Sequence, residues 1–348
     1  MAGRPDGQSA NGIVRLTPGE RDRDDPLLAR YAPELVVLPE DLEEPSPPGP
    51  TSGHDFHPRS ARLFADHARS VRRRGRMLTG AAIALSARRG DPNRGVGTTD
   101  AGSPARRRLE AAWPDRLAGE CLTASGRVDA GAAWRRYRDL LRADSGLYPR
   151  TVYGRVVGGD DRVAVQYWLF WFHNAWHNDH EADWEVVTVL HETSSGGPIA
   201  LSASAHGHAP RWSPGELTWV DGRPLLYVAA GSHALYAEPE PGIDRGSRGA
   251  GARARTPASL TQLARGSTRD HVAGVEPDRA IELPAMAYEL RHFPDLATLR
   301  PGTDAWDDWW WLAYGGRWGR ASGPAGPAGQ GPAWDDPLTW VAAATTER

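Results

Sequence analysis

Residues 167–189 read YWLFWFHNAWHNDHEADWEVVTV, and the reading of this stretch decides the fold. An aromatic run, Tyr167 to Phe172, enters a polar segment rich in His, Asn and Asp, and a second apolar run leaves it. Asn and Asp favour turns, and the flanking runs favour strands, so the segment reads as strand, loop, strand. On a strand, residues two apart share a face. Asp183 and Glu185 therefore point the same way, on a face that continues with Val187 and Val189 toward a core. Two carboxylates there are costly unless they are paired or bound to a cation. His180 lies just before this strand, where the loop brings its imidazole beside both. Oxygen-rich ligands with one imidazole suit Mg²⁺, Mn²⁺ or Ca²⁺ and also hold Zn²⁺ or Fe²⁺.

Outward from this stretch, the period of two extends over residues 162–172, 183–190, 199–205, 216–220 and 225–230, separated by Gly, Pro, Asn or Ser. Short strands at this spacing predict a mainly β fold, an antiparallel β-sandwich. Leu27 to Pro39 reads as one more short strand. Residues 60–74 predict a helix with Leu63, Phe64, His67, Ala68 and Val71 on one face. Residues 130–142 predict another, with Trp134, Tyr137 and Leu141 as its stripe and Asp129 as N-cap. Together they make a helical, Arg-rich insertion at about residues 55–145. Residues 1–25 read as a disordered tail, residues 26–348 as a single sandwich domain, and residues 241–279 as an exposed Gly- and Arg-rich loop.

Composition narrows the function classes. The chain has 348 residues, 40% of them apolar, enough for a substantial core. A net charge of −3 leaves no electrostatic footprint for a nucleic-acid partner. All 41 basic residues are arginine, which excludes a Schiff-base or P-loop lysine. The one cysteine, Cys121, excludes an intrachain disulfide framework and a cysteine metal cluster. No hydrophobic leader or bilayer-spanning run is present, which predicts a cytoplasmic protein without a transmembrane segment. The 15 tryptophans read as core more than as a ligand groove.

Other polar residues cluster near the same region. Ser204-Ala205-His206-Gly207-His208 ends one strand and Gly231-Ser232-His233 ends another, so His206 and His233 can converge on the rim that carries His180. Glu181 and His206 are the candidate general bases for a hydrolytic site. No Gly-x-Ser-x-Gly elbow, dinucleotide fingerprint or His-Glu-x-x-His zinc motif is present. The competing structural reading keeps Asp183 as a turn hydrogen-bonder and pairs Glu185 with a buried arginine. His54, Asp55 and His57 form a second polar cluster, read first as loop chemistry. Asp307 and Asp308 read as capping or hydrogen-bonding groups, and His191 and His292 as ordinary surface or core histidines.

Five motifs in order resemble the vacuolar protein sorting-associated protein 62 family. They are Arg30-Tyr31-Ala32-Pro33, Tyr167-Trp168-Leu169-Phe170, His180-Glu181-Ala182-Asp183-Trp184-Glu185, Gly231-Ser232-His233-Ala234-Leu235-Tyr236, and Gly316-Arg317-Trp318-Gly319 with the Trp-Asp-Asp-Pro-Leu-x-Trp that follows. The third is also similar to the central motif of necrosis- and ethylene-inducing-peptide-like cytolysins. That resemblance implies a β-sandwich in which His180, Asp183 and Glu185 bind a divalent cation. It departs at Glu181 and Ala182, where the cytolysins carry a basic residue and a histidine. Their upstream aspartate ligand has no clear counterpart, His173 or Asn174 being nearest. The resulting expectation is a divalent-cation site (Mg, Ca, Mn or Zn) formed by His180, Asp183, Glu185, His206 and His233. It would serve to recognise a polar ligand such as a glycan or lipid head group. The alternatives are a metal-dependent hydrolase or lyase, and a structural partner-binding module without metal.

Overall fold

The computed structural model describes residues 26–37, 57–72, 103–124, 130–143, 146–159, 161–174, 180–205, 209–229, 231–238, 281–283, 287–320 and 323–343. The expected tail (1–25), the expected exposed loop (241–279), the N-cap Asp129, and His54 and Asp55 all lie outside these residues.

In chain order the strands are β1 (Glu34–Val37), β2 (Arg69–Arg72), β3 (Glu120–Thr123), β4 (Thr151–Gly158), β5 (Arg162–Asn174), β6 (His180–Glu192), β7 (Gly197–Ala203), β8 (Arg211–Trp212), β9 (Trp219–Val220), β10 (Arg223–Val228), β11 (Leu235–Tyr236), β12 (Ile281–Leu283), β13 (Glu289–His292) and β14 (Arg317–Trp318). The helices are α1 (Pro26–Tyr31), α2 (Arg62–Ala65), α3 (Pro104–Ala112), α4 (Ala130–Ala143), α5 (Trp306–Trp309), α6 (Pro332–Asp335) and α7 (Pro337–Ala343), joined by short 3₁₀ turns.

A six-stranded sheet, in the order β13-β4-β5-β6-β7-β8, forms the centre. Its two longest strands, β5 and β6, are the pair read from residues 167–189, and they pair antiparallel with Trp171 opposite Asp183 and Phe170 opposite Trp184. Both faces of this pair are buried. That explains why the apolar run is continuous instead of alternating, because a sheet covered on both sides needs no polar face. On one face, the Tyr167 hydroxyl donates to the Leu28 carbonyl at 2.8 Å, docking α1. Gly154 belongs there for the same reason, since a Cβ at this position would lie 2.7 Å from the Leu28 Cδ2. The sheet that contains β10 lies on that side as well, because Trp171 stacks on His233 from the loop after β10. On the other face, Phe170 and Trp184 pack against Trp318, and Trp184 against Trp311. Most of the described tryptophans are core, whereas Trp113, Trp212, Trp219, Trp334 and Trp340 are half-buried.

The sheets are mixed, which corrects the expected antiparallel sandwich. Strand β1 runs parallel to β10, β13 parallel to β4, and β14 parallel to β3. Each of these partnerships joins segments more than 130 residues apart, so no local turn signal announces it. The second sheet is β11-β10-β1-β12 with β9 on β10, and the third is β14-β3-β2.

The insertion is less helical than expected. Helix α4 matches the predicted span and buries Trp134 and Tyr137, whereas Leu141 is only half-buried and Leu140 takes its place inside. The predicted helix at 60–74 shrinks to the four residues of α2, and Arg69–Arg72 becomes a strand on β3. There the pairing of Val71 with Cys121 overrides a helical spacing too short to stabilise itself. The predicted strand at Leu27–Pro39 is split, with α1 preceding β1. Among the described residues no helix is long and apolar enough to cross a membrane.

Candidate functional site

The polar cluster lies where the end of β6 meets the loop between β10 and β11. Asp183 is buried, and its carboxylate accepts three hydrogen bonds: from the Asn174 amide at 2.8 Å, from His233 Nδ1 at 3.0 Å, and from the Trp184 backbone N–H at 3.0 Å. The Trp171 ring lies 4.6 Å from the His233 ring and nearly parallel to it, fixing the imidazole plane. Glu185 is also buried and accepts a short hydrogen bond from the Ser204 hydroxyl. Ser204 in turn accepts from the Val186 N–H at 2.7 Å, and its carbonyl accepts from the Leu235 N–H at 3.2 Å.

Local backbone conformation aims these groups. Ala182 has φ of +61°, and His233 follows Gly231 (φ +77°) with φ of +59°. Left-handed backbone is sparse for residues other than glycine, and it collects where surrounding structure over-determines a functional geometry. The Ala182 conformation breaks the strand alternation, and the Glu181 carboxylate accepts from the Ala124 N–H at 3.1 Å, at the end of β3. Glu181 is therefore held by the third sheet, whereas Asp183 is held by His233 from the second sheet.

The two carboxylates titrate in opposite directions. Burial pushes the Asp183 pKa up, but the His233 hydrogen bond, the nearby His180 and the Asn174 amide outweigh it, so the net shift is below the ordinary value of 3.8. Burial and then the Asp183 charge push Glu185 well above its ordinary 4.5, against a smaller opposing pull from Ser204. The pair thus favours one negative charge, carried by Asp183.

His180 is buried with Nδ1 2.8 Å from the Ala182 carbonyl. A carbonyl only accepts, so Nδ1 donates there and Nε2 is left to face another partner. His233 is set the same way by the Asp183 carboxylate. Imidazoles oriented through Nδ1 by a carbonyl or carboxylate are the arrangement usual for metal-ligating histidines, so the donor chemistry fits a divalent cation. Yet among the described residues no three His, Cys, Asp or Glu side chains gather closely enough to hold a metal ion. His206 lies outside the described residues.

Of the residues singled out from the sequence, the structure brings Asp183, Glu185 and His233 together, with His180 near enough to act on the Asp183 charge. Among the described residues no arginine reaches Asp183 or Glu185, against the structural reading of a buried ion pair. Asp307 and Asp308 do pair with arginines, Arg106 and Arg62 respectively. His191 is a core histidine bonded to the Tyr31 hydroxyl at 3.2 Å. Trp171 and Ser204 were missed. Their signal was the strand register, which sets Trp171 opposite Asp183, and the Ser-x-His spacing after β7.

No protein-family model and no curated protein matches the chain, so these comparisons give no support to the resemblance to the vacuolar protein sorting-associated protein 62 family. Among the solved structures that match are toxin-fold proteins of the necrosis- and ethylene-inducing kind. A triple mutant of NLPPya is 25% identical at a TM-score of 0.23, over 25% of this chain and 44% of that one. NLPPya in complex with glucosamine is 23% identical at 0.23, over 25% and 45%. Necrosis and Ethylene inducing Protein 2 from the causal agent of cocoa's witches' broom disease is 20% identical at 0.23, over 33% and 67%. The chain thus spans less than half the length of the first of these. At such TM-scores the likeness decides neither the fold nor the activity.

Proposed function

We propose that the chain binds a polar ligand, such as a glycan or lipid head group, through a divalent cation at the Asp183 cluster. Asp183, Glu185 and His180 would hold the cation, with His206 and His233 completing the set. A bound cation would offer its positive charge to hydroxyl, carboxylate or phosphoryl oxygens of the ligand. The observation that carries this reading is the carboxylate pair itself: two buried acids on one strand face, with no arginine to neutralise them among the described residues. The proton held by Glu185 compensates for the missing positive charge, and a divalent cation would replace it.

A second reading is favoured by one contact. The 3.0 Å hydrogen bond from His233 to Asp183 orients an imidazole as in a hydrolytic dyad. In that case the base would be His233 or His206, because Glu181 is committed to Ala124. Calorimetric titration with Mg²⁺, Ca²⁺, Mn²⁺ and Zn²⁺ tests the first reading. Wild type should bind one equivalent, and Asp183→Asn should lose it. Absence of binding by the wild type, or equal binding by the variant, rejects the cation and leaves the dyad to be tested on a hydrolase substrate panel.

A further inference from the structure

A second cluster lies on the Phe172 side of β5, away from Asp183. The Arg59 backbone N–H donates to the Phe170 carbonyl at 3.0 Å, seating the segment 57–60 at the edge of β5. The Ser60 N–H donates to the Pro149 carbonyl at 3.0 Å, which brings Arg150 alongside. Helix α4 closes the third side, with Tyr137 packed 5.7 Å from the Phe172 ring. The Arg59 guanidinium donates to the Tyr137 hydroxyl at 3.2 Å and the Tyr148 carbonyl at 3.3 Å, so it is pinned by neutral acceptors only.

His57, Arg59 and Arg150 are all half-buried; both arginine charges act on His57, and Arg59 acts on Arg150. Among the described residues none of the three meets a carboxylate. Asp66 is taken by Arg62 at 3.0 Å, and the Glu289 carboxylate lies 3.9 Å from Arg291. His57 Nδ1 is sealed from solvent and has no hydrogen-bond partner among the described residues. Burial, then Arg150 and Arg59, push the His57 pKa down to about 3, so its ring is neutral at pH 7. Burial and Arg59 also lower the pKa of Arg150. Arg62 pairs with Asp66 and Asp308, and Arg106 with Glu110 and Asp307, whereas Arg116 and Arg155 are each satisfied singly by neutral oxygens and face no second guanidinium among the interactions that shift them. Two guanidinium groups close enough to repel, with no counter-charge among the described residues and an orphaned imidazole nitrogen beside them, have the make-up of a receptor for an oxyanion.

We propose that His57, Arg59 and Arg150 form a binding site for the phosphate group of a phosphomonoester, distinct from the Asp183 cluster. Arg150 and the N–H donors that Arg59 has left can reach the oxygens of a dianion, and their combined charge balances its own. A carboxylate would leave one positive charge unanswered. The phosphate belongs either to a soluble ester or to a lipid head group, and the chemistry of the site is the same for both.

The test is calorimetric titration of the full chain with inorganic phosphate and glycerol phosphate, and flotation with vesicles containing phosphatidic acid or phosphatidylcholine alone. Wild type should bind phosphate and gain melting temperature with it. Arg150→Gln should weaken phosphate binding by about tenfold or more while keeping its melting temperature without phosphate, because it removes repulsion and no hydrogen bond. His57→Gln gives a second arm and should also weaken binding. Flotation with phosphatidic acid but not phosphatidylcholine assigns the phosphate to a lipid, and binding of glycerol phosphate without flotation assigns it to a soluble ester. No binding of phosphate by the wild type, or unchanged binding by both variants, overturns the proposal.

Discussion

Glu185→Gln should stabilise this protein at neutral pH and lose that benefit in mild acid. Gln has the shape of a protonated Glu and never ionises. In the folded chain Glu185 is buried beside the ionised Asp183, so its pKa stands well above the 4.5 of an exposed glutamate. An acid whose folded pKa is raised binds more protons folded than unfolded. Its contribution to stability is therefore lost as pH rises from about 4.5 toward the folded value. Across that window wild type should lose up to about 1.4 kcal/mol per pH unit relative to the variant, and the difference should level off above it. Asp183 has the opposite sign: its lowered pKa contributes stability above 3.8, lost as pH falls below it. The assay is urea unfolding of both proteins from pH 4 to pH 8 with a chelator present, compared at equal m-value. A stability difference that is flat across this range would refute the account, because it would mean that Glu185 holds no extra proton. If the proposed cation binds, adding it should remove the wild-type deficit and leave the variant unchanged.

The remaining predictions use the same thermal or urea measurements unless stated otherwise. Without cation, Asp183→Ala should cost about 3–5 kcal/mol, since it orphans His233 and Asn174 in a buried site; a change under about 1 kcal/mol would contradict the hydrogen-bond network. Gly319→Ala should destabilise by more than about 1–3 kcal/mol, because Gly319 has φ of +82° and a Cβ there would lie 2.0 Å from the Glu181 carbonyl oxygen. Trp318→Ala should cost about 3–5 kcal/mol, as this fully buried ring touches Phe64, Phe170, Trp184 and Trp311. Cys121→Ser should stay within about 1 kcal/mol and leave cation binding intact, since no disulfide involves this thiol; loss of binding in a folded variant would point to a role for sulfur.

What the sequence revealed and what it hid follow from the range of the interactions. Strands β5 and β6 were legible because their partner is the next strand along the chain, and the Asn and Asp between them mark the reversal. Asp183 and Glu185 on one face followed from strand geometry alone. The parallel partners of β1, β3 and β4 were not legible, since nothing near Leu35 or Leu122 encodes a partner nearly two hundred residues away. Residues 69–72 misled for a related reason. The spacing from Leu63 to Val71 is helical, but an isolated helix of that length is marginal, and pairing with β3 supplied more than local propensity could. The role of Glu181 was hidden by a single backbone angle, the positive φ of Ala182, which no residue type announces.

The location of the Asp183 cluster gives it mechanical as well as chemical weight. Asp183 and Glu185 belong to the central sheet, and His233 belongs to a loop of the second sheet. Three hydrogen bonds join the two at this point, His233 to Asp183, the Asn174 amide to the Ser232 carbonyl, and the Leu235 N–H to the Ser204 carbonyl, beside the stacking of Trp171 on His233. Leu226, Val228 and Leu235 of the second sheet belong to the main core with Trp171 and Val187, while Ala205, Ala229, Ala234 and Tyr236 form a small cluster of their own. Elsewhere the sheet is held by large aromatic rings, whose burial is insensitive to charge. The seam at His233 is therefore a part of the fold whose stability depends on the charge state of the site as well as on burial. A proton on Glu185 closes the seam with one net negative charge, and a divalent cation would close it with both carboxylates ionised. Binding of the proposed cation at this cluster would thereby be coupled to the docking of one sheet on the other.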